Sequence, residues 1–156
     1  MTAAQRKRLK RGDVLALHAS GRLGYLHYIG KHSEYGEAVL VSPKLWDRQM
    51  TVASEIFSGG YVTFYPATAA IAHHLVEVVG HLPPSILPRR FRRPGAIAGS
   101  HVKTWIIEDG VKEVVKVKLS EDELRLPIAT IWNHEYLVER LEEGWNPVDE
   151  QGEGES

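Results

Sequence analysis

Two runs of β-branched residues on either side of Asp109-Gly110 constrain the fold more than any other feature of this chain. They cover residues 104–108 and 111–119. Asp-Gly between two such runs favours a two-residue turn with positive φ. The pattern therefore predicts an antiparallel hairpin.

Further short strands are predicted earlier in the chain. Gly12-Asp13 should lead into the first of them through a turn in which Asp13 bonds nearby backbone amides. Apolar or β-branched runs between turn signals indicate strands at residues 14–18, 24–30, 38–41 and 61–65.

Four other segments are less regular in pattern. Residues 50–57 fit either a strand or a helical turn. Residues 67–79 begin with alanines that favour a helix and continue with valines that favour a strand, above all in the second half. Prolines predict an extended loop over 82–88 and an irregular crossing over 89–95.

The clearest helix is predicted at residues 134–143, after an Asn133 cap and before Gly144. Leu137 and Leu141 fall on its core-facing side. A capping box is predicted at Ser120, where Ser-x-x-Glu begins a short helical turn. The tryptophans expected to build the core around the closing helix are Trp105, Trp132 and Trp145.

These elements predict an α+β fold. It should be a β-rich single domain with a strongly bent or barrel-like, mainly antiparallel sheet and a C-terminal helix. The 156 residues suit one domain. We divide them into a flexible basic arm (1–8), the globular domain (9–147) and a disordered acidic tail (148–156).

Composition excludes several classes of protein. The chain has no cysteine, which rules out disulfides, thiolate zinc sites and cysteine catalysis. No apolar run is long enough for a signal peptide or for a span of the bilayer. We therefore expect a cytoplasmic protein with no membrane contact.

Motifs for catalysis, cofactors or metals do not emerge. Gly99-Ser100-His101 lacks the second glycine and the sharp elbow of a hydrolase nucleophile. The chain holds eight histidines, but adjacent His73 and His74 would diverge on a strand, and no spacing supplies a third ligand. The sequence therefore predicts a non-enzymatic protein with no cofactor and no metal.

A cluster of arginines around one aromatic residue is the candidate partner-binding site. Its members are Arg89, Arg90, Phe91, Arg92 and Arg93. The guanidinium groups could grip phosphates while the ring stacks on a base. They could equally bind an acidic face of a protein. Alternatively, Phe91 fills the core and the arginines pair with the acidic C-terminal helix.

Several short motifs, in order, resemble one family of bacterial proteins. They lie at residues 10–16, 24–25, 78–83, 88–92, 105–110, 132–133 and 141–145. In order and spacing they are similar to the twenty-sixth family of immunity proteins, from polymorphic toxin and contact-dependent inhibition systems. The resemblance covers about residues 9–147, although 46–60 match none of its motifs.

The resemblance implies a small cytoplasmic protein that binds a cognate toxin stoichiometrically and neutralises it without catalysis. It does not identify the toxin. The alternative from the residues themselves is a module that contacts nucleic acid weakly, through the basic arm and Arg89 to Arg93.

Overall fold

Within residues 8–98, 101–108, 112–116 and 118–147, which the computed structural model describes, the strands form two sheets. Residues 94–98, 101–103 and 112–116 are described by their backbone alone. The strands are β1 (Asp13–Ala19), β2 (Arg22–His32), β3 (Gly36–Val41), β4 (Tyr61–Phe64), β5 (Val76–His81), β6 (Arg90–Ala98), β7 (His101–Glu108) and β8 (Lys112–Lys116). The helices are α1 (Ala67–Ala72), α2 (Glu121–Leu124) and α3 (His134–Glu143), with a 3-10 helix at Ser54–Phe57.

The strand order is β4-β3-β2-β1-β5 in the first sheet and β6-β7-β8 in the second, and every neighbouring pair is antiparallel. The predicted α+β class and mainly antiparallel pairing are therefore confirmed.

The predicted barrel-like closure is wrong, because β4 and β5 lie at opposite edges of an open sheet. The outer edge of β4 is occupied by another segment. The Trp132 N–H donates to the Phe64 carbonyl at 2.8 Å, and Ile131 forms a parallel bridge with Phe64. Those bonds satisfy backbone groups that closure would have paired with β5.

One segment, residues 127–132, connects the two sheets. At its start, the Arg92 N–H donates to the Pro127 carbonyl and the Ala129 N–H donates to the Arg92 carbonyl, both at 2.9 Å. At its end it bonds β4 through Phe64. Residues 127–132 therefore lie along an edge of each sheet. The strands form two sheets, whereas the sequence predicted one.

The turn before β1 has the form that the sequence predicts. Gly12 has a φ of 102°, and a Cβ there would lie 2.5 Å from the His81 ring, so a side chain would be strained and obstructed. The buried Asp13 carboxylate accepts from the Lys10 N–H at 2.8 Å and lies 3.2 Å from His81 Nδ1. The start of the chain's first strand is thereby fixed to β5.

Both segments of uncertain type are now assigned. Residues 50–57 contain the 3-10 helix rather than a strand. Residues 67–79 divide as their composition indicates, with alanines in α1 and valines in β5. His74, with a φ of 60°, lies in the turn between them.

The closing helix α3 has the predicted bounds and caps. Asn133 Oδ1 accepts from the Tyr136 N–H at 2.8 Å, and Gly144 ends the helix at a φ of 69°. Leu137 and Leu141 are buried in the main core cluster together with Trp132 and Trp145. The capping box at Ser120 is likewise confirmed.

Two details of the second sheet differ from the sequence expectations. Trp105 is half-buried on β7 and belongs to none of the core clusters of the described residues. Glu108 pairs with Lys112, so β7 and β8 form the predicted antiparallel hairpin, whose Asp109-Gly110 turn lies outside the described residues. Residues 90–95, expected to be irregular, belong to β6, because pairing with β7 supplies backbone partners that the sequence does not reveal. Pro94 is compatible with this strand, since β6 is at an edge.

The predicted basic arm, apart from the exposed Arg8, and the predicted acidic tail lie outside the described residues.

Candidate partner-binding site

The five residues of the predicted site are not one exposed cluster. Arg89 and Arg90 are exposed, Arg93 is half-buried, and Phe91 and Arg92 are 0% and 4% exposed. From Arg90 onwards these residues lie on β6, where side chains alternate between the two faces of the strand, so Phe91 points away from the face of Arg90 and Arg92. The five residues therefore have different roles.

Phe91 is part of an aromatic cluster inside the protein. Its ring lies 5.0 Å from that of His32, edge to face, and 5.3 Å from that of Phe64. Tyr35 completes the cluster, with its ring centroid 5.9 Å from that of Phe91. His32 Nδ1 accepts from the Glu34 N–H at 3.0 Å, which fixes this ring at the side of the cluster. Phe91 is a core residue and offers no surface on which a nucleic-acid base could stack.

Arg92 is a buried connector. Its Nη2 donates to the Pro147 carbonyl, and its backbone holds Pro127 and Ala129 beside β6. A buried guanidinium needs such acceptors, because removing a charge from water is costly. Arg92 therefore holds Pro147, the last described residue, close to β6.

The remaining arginines make looser contacts. Arg90 Nη2 lies 4.0 Å from Glu123 Oε2, with about half of the arginine side chain exposed. The other Glu123 oxygen accepts from the Ser120 N–H in the capping box. Arg93 places its guanidinium carbon 5.7 Å from the Trp105 ring centroid. The acidic partner of Arg90 thus lies on α2, rather than on the C-terminal helix as one sequence interpretation expected.

An apolar residue that sequence reasoning missed lies next to this motif. Ile86 is 86% exposed, the highest exposure of any large hydrophobic residue among those described. It belongs to the proline segment (residues 82–88), which holds Pro83, Pro84 and Pro88. An isoleucine between closely spaced prolines was the available signal, since prolines restrict the conformations of the chain around it.

The proline segment is attached to the core at both ends. At the first end, the Leu82 N–H donates to the Gly12 carbonyl at 2.9 Å, the Leu82 carbonyl lies 3.1 Å from His27 Nε2, and the Leu82 side chain packs on a core cluster. At the other end, Leu87 packs on the cluster that contains Phe91. Ile86 is therefore exposed to solvent on a segment whose two ends are held by contacts with the core. We call Ile86, Arg89 and Arg90 the Ile86 surface.

A titratable pair elsewhere in the fold connects the residue after β4 to α3. The Tyr65 hydroxyl lies 2.8 Å from His134 Nδ1. Burial raises the pKa of Tyr65. Burial also lowers the pKa of His134 below its usual 6.5, although Glu135 opposes the change. The Tyr65 hydroxyl and neutral His134 therefore form a hydrogen bond between two uncharged groups, which joins α3 to the residue that follows β4.

This pair predicts a pH-dependent contribution to stability. Because the pKa of His134 is lower in the folded state, the unfolded chain takes up a proton first as the pH falls. The stabilisation that His134 contributes to the fold is complete above the pKa of this residue in the unfolded chain. It is lost as the pH falls through the lower pKa of the folded state. We expect the difference in the free energy of urea unfolding between wild type and His134→Asn to become smaller as the pH is lowered from about 7.5 to about 5. A difference in the free energy of unfolding that grows as the pH falls would contradict a lowered pKa of His134 in the folded state.

Among the described residues, no group of three histidine or carboxylate side chains is placed to hold a metal ion. None of the helices in that part of the chain is long and apolar enough to cross a membrane.

Comparison with known proteins gives no relative. No protein-family model, no curated protein and no solved structure matches this chain.

Proposed function

We propose that this protein binds another protein through the Ile86 surface and acts as an immunity protein that neutralises a cognate bacterial toxin. It would do so stoichiometrically and without a reaction of its own. The observation that carries the proposal is the exposure of Ile86 on a segment attached to the core at both ends.

An isolated exposed apolar side chain is ordinary on protein surfaces. Ile86 differs because prolines and core contacts restrict its segment before any partner arrives, and a segment that is already ordered loses little entropy on binding. An aliphatic anchor entering a pocket of the partner is a common centre for an interface. Arg89 and Arg90 follow it closely in the chain and are exposed.

The arginines indicate the chemistry of the partner. Guanidinium groups pair with carboxylates in fixed geometry and are enriched among the residues that dominate binding energy. A partner that suits this surface has an apolar pocket bordered by acidic side chains. The toxin assignment itself depends on the family resemblance.

The nucleic-acid alternative is weakened by the burial of Phe91, since single-strand binders use exposed rings as stacking platforms. Exposed arginines alone would give binding that falls steeply with salt.

Affinity purification from the native bacterium tests the proposal, with wild type and Ile86→Asp tagged alike and nuclease in the lysis buffer. The matched control is Ile131→Asp, which makes the same change at another exposed isoleucine. We expect wild type and the control to retain one stoichiometric protein. Ile86→Asp should bind it at least about tenfold more weakly, as at a dominant interface residue.

The captured protein must then be toxic when produced alone and harmless when produced with the wild-type chain. Equal capture by wild type, Ile86→Asp and Ile131→Asp would refute the Ile86 surface. Recovery of nucleic acid alone, lost on nuclease treatment, would replace the proposal with the nucleic-acid module.

A further inference from the structure

The last described residue of the chain lies near the exposed Arg90. This residue is Pro147, whose carbonyl accepts from buried Arg92. Arg90 lies two positions away on the same strand, so both side chains are on one face of β6, about 7 Å apart along the strand. Whatever follows Pro147 therefore begins close to Arg90.

The segment that follows is complementary in charge to these arginines. Residues 148–156, the acidic tail, contain Asp149, Glu150, Glu153 and Glu155 and no lysine or arginine. Nine residues reach at most roughly 30 Å, which is several times the spacing between Arg92 and Arg90. The carboxylates can therefore reach both exposed arginines.

The arginines are suited to a second acidic partner. Arg90 lies 4.0 Å from Glu123, the limit of an ion pair, and Glu123 also serves the capping box. Arg89 is exposed. Tethering at Pro147 gives the tail an effective concentration on the order of millimolar, enough to populate contacts that would be negligible between separate molecules.

We propose that the acidic tail binds Arg89 and Arg90 of its own chain and competes with an acidic partner for them. The competition rests on the proposed function, whereas the docking of the tail does not. Exposed ion pairs are individually weak, so a partner that also engages Ile86 displaces the tail. The tail thereby disfavours acidic partners that lack a pocket for Ile86.

Paramagnetic relaxation enhancement on the full-length chain tests the docking. The protein has no cysteine, so Gly152→Cys accepts a single nitroxide label. We expect the amide signals of Arg89 and Arg90 to broaden at low salt. The broadening should disappear in about 0.5 M salt, where the Debye length is a few ångströms. It should also disappear when Asp149→Asn, Glu150→Gln, Glu153→Gln and Glu155→Gln are combined. Absence of broadening, or broadening that persists after neutralisation, overturns the proposal.

A fluorescent hexaglutamate peptide tests the competition with no toxin present. The neutralised full-length variant should bind it about two- to tenfold more tightly than wild type at low salt, because the competing tail is removed. Arg89→Glu with Arg90→Glu should abolish binding in both backgrounds. Equal affinity of wild type and the neutralised variant overturns the competition. These outcomes are independent of capture through Ile86, so failure of the immunity function can be distinguished from failure of tail docking.

Discussion

Replacing Phe91 with alanine is expected to lower the free energy of unfolding by about 3–5 kcal/mol, the usual cost of deleting a buried phenylalanine. The ring is 0% exposed and contacts His32, Tyr35 and Phe64. Its removal leaves a cavity where β6 packs on the first sheet. The prediction separates a core role for Phe91 from the role of a partner contact, which would leave stability nearly unchanged.

Urea unfolding of Phe91→Ala beside Arg89→Ala provides the measurement. Arg89 is exposed and precedes β6, so its replacement should change stability by no more than about 0.5 kcal/mol. A Phe91→Ala protein as stable as wild type would contradict the packing of the second sheet against the first.

Replacing Leu137 with alanine should cost about 2–5 kcal/mol. Leu137 is fully buried in the main core cluster, among Trp132, Trp145 and strands of the first sheet. Alanine is a good helix former, so the loss would come from packing rather than from helix propensity.

The matched variant is Glu139→Ala, at an exposed position of the same helix, and it should stay within about 0.5 kcal/mol of wild type. Thermal and urea unfolding of the two variants give the comparison. If Leu137→Ala were as stable as wild type, α3 would be peripheral and the core would have to be placed elsewhere.

The candidate site was predictable only in part. The sequence singled out the stretch from Arg89 to Arg93, and the alternative that Phe91 fills the core agrees with its burial. It did not reveal that Arg92 is buried against Pro147 or that Ile86 is exposed. Sequence patterns place an arginine such as Arg92 at the surface, because they do not show that the Pro147 carbonyl, distant in the chain, accepts its hydrogen bond.

Sequence by itself determined the elements whose bonds are local. The caps at Ser120 and Asn133, the end of α3 at Gly144 and the change from helix to strand within 67–79 all depend on residues a few positions apart.

Tertiary structure alone decided how the elements combine. The first sheet stays open because Trp132 bonds the edge of β4, and β6 is a strand because β7 and the residues around Ile128 supply its partners. These contacts join backbone groups far apart in the chain. Many segments could satisfy the same N–H and carbonyl groups, and only the packed fold selects which of them does.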